Sequence, residues 1–168
     1  MIDETFSRDE VAAWAGLTRP QLNHFHKIGL CVSDVGDVRK RISRQEAILT
    51  AGVAAFVRLG VQPQNLVAPF NWLREQLATD DGVIRDWKVA VNGLPKDAFA
   101  FATADPVQQA ELWDTALKDF WFSVYADESE WKTQVGRSPT FIEGKEGFVS
   151  INIRTVLANR GVLGGDDG

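Results

Sequence analysis

With 168 residues, 45% of them hydrophobic and 24% charged, the chain suits one medium domain or two small ones around a real core. It has no run of about 18 apolar residues, which excludes a membrane span and a membrane partner, and its acidic, polar start MIDETFSRDE predicts no secretory leader. One cysteine, Cys31, excludes an intramolecular disulfide, and with two histidines it leaves too few donors for a multi-ligand metal site. The expected compartment is the cytoplasm, and no metal or cofactor is expected. The net charge of −5 is unevenly spread. Residues 1–78 carry nine Lys/Arg against eight Asp/Glu, whereas residues 79–168 carry nine against fifteen. That asymmetry points to separate jobs for the two halves.

Residues 6–30 read as two short helices joined by a tight turn. Ser7 is placed to cap the first, with Glu10 at the reciprocal position of a capping box. Val11, Ala12, Trp14 and Ala15 form its apolar face, and Gly16 stops it. Thr18 caps the second helix, and Pro20 sits in its first turn, where a missing N–H costs little. Leu22, Phe25 and Ile28 point inward at helical spacing. Arg19, Gln21, Asn23, His24 and Lys27 are left facing outward, and Gly29 closes the helix. This is a helix-turn-helix pattern, in which the second helix enters the major groove of double-stranded DNA.

The next segment carries the turn formers Ser33, Asp34, Gly36 and Asp37 between two extended pieces, Leu30–Val32 and Val38–Ile42. It reads as a small hairpin, a wing, with a basic cluster at Arg39, Lys40, Arg41 and Arg44 suited to phosphate. A third helix is expected over about 44–59, capped by Ser43 with Glu46 in the capping-box position. A fourth follows over about 63–78, kinked or split at Pro69. Thr79-Asp80-Asp81-Gly82 then breaks the composition and marks the boundary between domains 1–78 and 79–168.

Beyond it, Val83–Val91 alternates and reads as a strand. Residues 98–102 read as a second strand or a short buried element. An amphipathic helix is expected over about 107–125, on Val107, Ala110, Trp113, Leu117, Phe120, Trp121 and Val124. Residues 126–147 are expected to be mostly loop, with a strand beginning at Phe141–Ile142. Another strand is expected over Phe148–Ile153, and a disordered tail closes the chain. The predicted fold class is α+β, a four-helix winged helix-turn-helix with a small wing hairpin followed by a smaller mixed α/β domain.

The order helix, turn, helix, wing, helix resembles the MerR family of transcription regulators. The resemblance covers about residues 5–78. It rests on the helix-turn-helix core, on Lys27-Ile28-Gly29-Leu30 closing the second helix, and on Val57-Arg58-Leu59-Gly60 before Pro63. Where the family places an arginine and two tyrosines, this chain has Asn23, His24 and Phe25, and its wing has Arg39, Lys40 and Arg41 without the family's aromatic. The family's long coiled-coil dimer helix is not expected, because residues 79–105 contain Gly82, Gly93 and Pro95 and no heptads. The metal-sensing cysteines of some members are missing too.

The site residues expected at DNA are Thr18, Arg19, Gln21, Asn23, His24, Lys27, Arg39, Lys40 and Arg41. Asn23 leads, because an amide donates to and accepts from adenine. The alternative for this set is solvated surface. In the second half Trp87, Trp113, Trp121, Phe122 and Tyr125 belong to an aromatic load with three readings. They form a core, an interface for a partner or second copy, or a pocket for a hydrophobic cation near Glu111 or Asp114. Adjacent Trp121 and Phe122 cannot both face one core.

No phosphate loop, dinucleotide fingerprint, nucleophile elbow or zinc-protease motif occurs, so an enzyme is not expected. The resulting expectation is a homodimeric, sequence-specific regulator acting at a promoter, with RNA polymerase or another regulator as a further partner. Two alternatives stand beside it: an excisionase-type DNA-bending factor, and an anti-activator that binds protein through a helix-turn-helix no longer used on DNA.

Overall fold

The computed structural model describes residues 5–33, 41–99, 105, 107, 108, 111, 120–127, 130–137 and 148–152. The elements bounded among the described residues are five α-helices and two small antiparallel sheets, a mixed α/β structure. Strand β1 (Thr5–Phe6) leads into helix α1 (Arg8–Ala15), then α2 (Arg19–Lys27), strand β2 (Ile42–Ser43), α3 (Arg44–Arg58), α4 (Pro63–Leu77) and α5 (Gly82–Gly93). A 3-10 turn spans Lys96–Phe99, and strands β3 (Trp121–Asp127), β4 (Glu130–Gly136) and β5 (Phe148–Asn152) follow.

β1 pairs with β2, Thr5 opposite Ser43 and Phe6 opposite Ile42. The second sheet has the order β4-β3-β5, with Phe122 opposite both Val135 and Ile151. Strand alternation turns Phe122 and Val124 to the same face. That face meets α3 at Gly52, where an added Cβ would lie 3.2 Å from Phe122 Cδ2 and 3.7 Å from Ile151 Cδ1. The absence of a side chain at Gly52 lets the helix approach the sheet this closely.

One hydrophobic core runs from Phe6 to Ile151, and the packing is continuous across residues 78–82. Phe99 stacks on Phe6 with centroids 4.8 Å apart and tilts against Trp14 at 5.2 Å. Trp87 is fully buried between Phe120 and Phe122, each at 5.3 Å.

Several expectations need correction. Residues 83–91 form a helix and not a strand. The buried residues are Ile84, Trp87 and Val91, at helical spacing, while Val89, which the alternation would bury, is 70% exposed. The helix expected over about 107–125 does not reach its end. Residues 107, 108 and 111 are helical, but Trp121–Asp127 is the central strand of the sheet. The dense run Phe120, Trp121, Phe122, Val124, Tyr125 satisfies both periods, and pairing on both edges selects the strand. Part of the expected loop 126–147 is strand β4.

Leu30–Val32 is not a strand: the N–H groups of Leu30 and Cys31 turn back to the Phe25 carbonyl at 2.9 and 3.3 Å. At the other end of the expected wing, Ile42 is a strand residue, but it pairs with Phe6 of β1. Residues 34–40, Arg39 and Lys40 included, lie outside the described residues, as do Trp113, Asp114 and Phe141–Ile142. Pro69 does not split the fourth helix, which runs unbroken from Pro63 to Leu77 with Pro69 buried. Strand Phe148–Asn152 and the helices at 44–58 and 63–77 lie where the sequence places them.

Candidate nucleic-acid interface

Helix α1 starts with a complete capping box. The Glu10 N–H donates to Ser7 Oγ at 3.2 Å, and the Ser7 N–H donates to Glu10 Oε2 at 2.7 Å. It ends at Gly16, which is left-handed at φ 64°. Arg58, the last residue of α3, reaches this end and donates from Nη2 to the Ala15 carbonyl at 3.0 Å. The turn at residues 16–18 is thereby held against α3.

Thr18 and Gln21 form the second capping box. The Thr18 N–H donates to Gln21 Oε1 at 2.8 Å, and the Gln21 N–H donates to Thr18 Oγ1 at 3.3 Å. Leu22 and Phe25 face the core. Thr18, Arg19, Gln21, Asn23, His24 and Lys27 are all exposed. At 100° per residue these do not form one stripe. Asn23, His24 and Lys27, with Pro20, form the ridge opposite Leu22 and Phe25. Arg19 and Gln21 lie on its two flanks, and both flanks are engaged. Arg19 pairs with Asp9 at 2.5 Å, and Gln21 is spent on the cap.

Asn23 has a neighbour that sequence reading missed. Arg8, in the first turn of α1, directs Nη1 to Asn23 Oδ1 at 3.4 Å. The signal in sequence is faint, since residues 8 and 23 are joined only by the crossing of two helices.

The basic cluster is put to structural use where it is described. Arg41 donates from Nε to Thr5 Oγ1 at 3.1 Å and from Nη2 to the Thr5 carbonyl at 2.5 Å, stitching β1 to the residue that precedes β2. Arg44 donates to the carbonyls of Val91, Asn92 and Leu94 at the end of α5, and its guanidinium lies 5.7 Å from the Phe99 ring centroid. A cation at a helix C-terminus opposes the macrodipole and satisfies orphan carbonyls.

Below α2, Arg74 makes a two-point pair with Glu46, Nε to Oε1 at 2.7 Å and Nη2 to Oε2 at 2.9 Å, and also donates to the Leu30 carbonyl at 2.7 Å. Glu46 therefore does not complete the capping box with Ser43. Only the Glu46 N–H to Ser43 Oγ half forms, at 3.2 Å. Cys31 packs beneath this pair, with Thr50 Oγ1 at 3.4 Å. Burial pushes its thiol up to about 11, against the smaller lowering effect of the Thr50 contact. A thiol so placed stays protonated and unreactive at neutral pH.

In the second half Trp87 and Phe122 are core side chains closed to solvent. Tyr125 is also buried, and Trp121 is half-buried on the opposite sheet face from Phe122. Among the described residues no group of three or more His, Cys, Asp or Glu is placed to hold a metal ion. No helix among them is long and apolar enough to cross a membrane.

Compared with protein-family models, with curated proteins and with solved structures, the chain matches none.

Proposed function

We propose that this protein is a sequence-specific DNA-binding regulator of transcription, in which α1 and α2 act as a helix-turn-helix within a winged, MerR-like region over residues 1–78. The observation that carries this reading is α2 itself. It is capped at its start, pinned to the core by Leu22 and Phe25, and exposes a polar ridge of Asn23, His24 and Lys27 with no acidic residue anywhere in the helix. A helix held rigidly from behind and polar in front is what insertion into a major groove requires. On this reading Asn23 and His24 face base edges, Lys27 and the wing cluster at Arg39 and Lys40 face phosphate, and the protein acts as a homodimer in the cytoplasm without catalysis.

One observation favours the anti-activator reading. Arg19 and Arg41 are both bonded within the chain, which reduces the positive charge offered to DNA.

The test is a salt titration of binding to a duplex taken from upstream of the protein's own gene, with random duplex as competitor. Tight binding that outcompetes random DNA and weakens steeply with salt supports the regulator. Equal, weak binding to both duplexes favours an architectural DNA-bending role. No binding at low salt overturns the DNA reading in favour of a protein partner.

A further inference from the structure

We propose that Arg8 fixes the polarity of the Asn23 amide, so that Asn23 reads a guanine edge in the major groove and rejects adenine. The inference rests on the DNA-binding reading above and goes beyond it by naming the base and the positioning residue.

The argument starts from the donor inventory of the two side chains. A guanidinium has donors only, so the atom of Asn23 that faces Arg8 Nη1 at 3.4 Å has to be the carbonyl oxygen. The Arg8 Nε is buried without a hydrogen-bond partner among the described residues, and Nη1 at the guanidinium end reaches Asn23 on α2. With Oδ1 turned to Arg8, the Nδ2 group is the part of Asn23 left to face outward, and it offers two N–H donors and no acceptor.

Adenine presents an acceptor, N7, beside a donor, N6–H2, and its two-point recognition by asparagine needs both ends of the amide. Here the adenine amino group would meet no acceptor and be desolvated without a partner, which is penalised. Guanine presents two adjacent acceptors, N7 and O6, on the same edge. A pure donor matches it, and the Arg8 charge behind the amide strengthens the preference for an electronegative edge. Arg8 thus acts as a positioning residue, and Asn23 determines specificity.

The experiment is enrichment of bound sites from a pool of randomised duplexes, using the full chain and the variants Asn23→Ala and Arg8→Met. The methionine keeps an unbranched apolar stem and removes every donor. Far-ultraviolet circular dichroism and thermal melting confirm that each variant is folded. The expected result is a guanine enriched by the wild type at a position that Asn23→Ala leaves unselected, with Arg8→Met exchanging that guanine for adenine. A merely structural role for Arg8 would weaken selection at all positions together and move no base preference.

Adenine enriched by the wild type at the Asn23-dependent position overturns the inference, as does a site identical for the wild type and Asn23→Ala. Either outcome leaves the DNA reading standing. A wild-type protein that enriches no site overturns the inference together with the sequence-specific reading.

Discussion

Arg58 and Gly16 are fitted to each other. The guanidinium that closes the end of α1, bonded to the Ala15 carbonyl at 3.0 Å, lies 2.9 Å from where a Cβ on residue 16 would sit. Gly16 is thus needed twice, for its left-handed backbone and for the room it leaves. Gly16→Ala should lower stability by about 1–2 kcal/mol, combining the left-handed penalty with the loss of the Arg58 bond. Because the second contribution is shared, Gly16→Ala with Arg58→Ala should cost less than the sum of the single changes. Urea denaturation of all four proteins measures this. Strict additivity would show that the two residues are uncoupled.

The Glu46–Arg74 pair ties α3 to α4 and to the chain leaving α2. Its side chains are 15% and 17% exposed, so solvent screens it only partly. Glu46→Gln should cost about 2–3 kcal/mol, less than a fully buried broken pair, because Arg74 keeps its bond to the Leu30 carbonyl. The midpoint of chemical denaturation checks it, and a shift equivalent to less than about 0.5 kcal/mol would place the pair among ordinary surface contacts.

Cys31 gives a pH dependence with a definite sign. Its thiol is raised in the folded chain, from 9.0 to about 11. The folded state therefore holds a proton that the unfolded state releases first, and stability falls as pH rises between about 9 and about 11. Replacing Cys31 with Ala should flatten the stability curve in that window. At neutral pH, iodoacetamide should modify the native protein only as fast as it opens, and rapid labelling of folded protein would contradict the burial.

Phe99 joins the two halves of the chain. It stacks on Phe6, tilts on Trp14 and lies under Arg44, which also caps α5. Phe99→Ala should cost about 3–5 kcal/mol through lost burial and the cavity left behind. The loss should appear as one cooperative transition, since the core is continuous. Separate melting of the N-terminal helices would show that the halves are energetically independent.

Much of the local chemistry within one turn was legible in sequence. Ser7 with Glu10, Thr18 as a cap and Gly16 as a stop depend on residues at most three apart, whereas Gln21, expected at DNA, turns back to complete the Thr18 cap. Ser43 with Glu46 has the same spacing, yet Glu46 leaves the cap for Arg74, a residue twenty-eight positions away. The exposed ridge of α2 shows the same limit. Exposure of Asn23, His24 and Lys27 follows from helical period, whereas the engagement of Arg19 by Asp9 and of Asn23 by Arg8 depends on how α1 crosses α2. The strand at 121–127 was hidden for a related reason, since a run so rich in aromatics fits a helical and an extended period equally well.

The sequence by itself determined the caps, the glycine stops, the four N-terminal helices and the inward positions of Leu22 and Phe25, because these depend on short-range hydrogen bonds and on the helical period. Only the tertiary structure decided that residues 83–91 are helical, that Trp121–Asp127 and Glu130–Gly136 are strands of a sheet docked on Gly52, and that Arg8, Arg41, Arg44, Arg58 and Arg74 are tied to partners within the fold. Those outcomes depend on contacts between residues far apart in the chain, and both strand pairing and the reach of a long guanidinium are settled by what packing brings within about 3 Å.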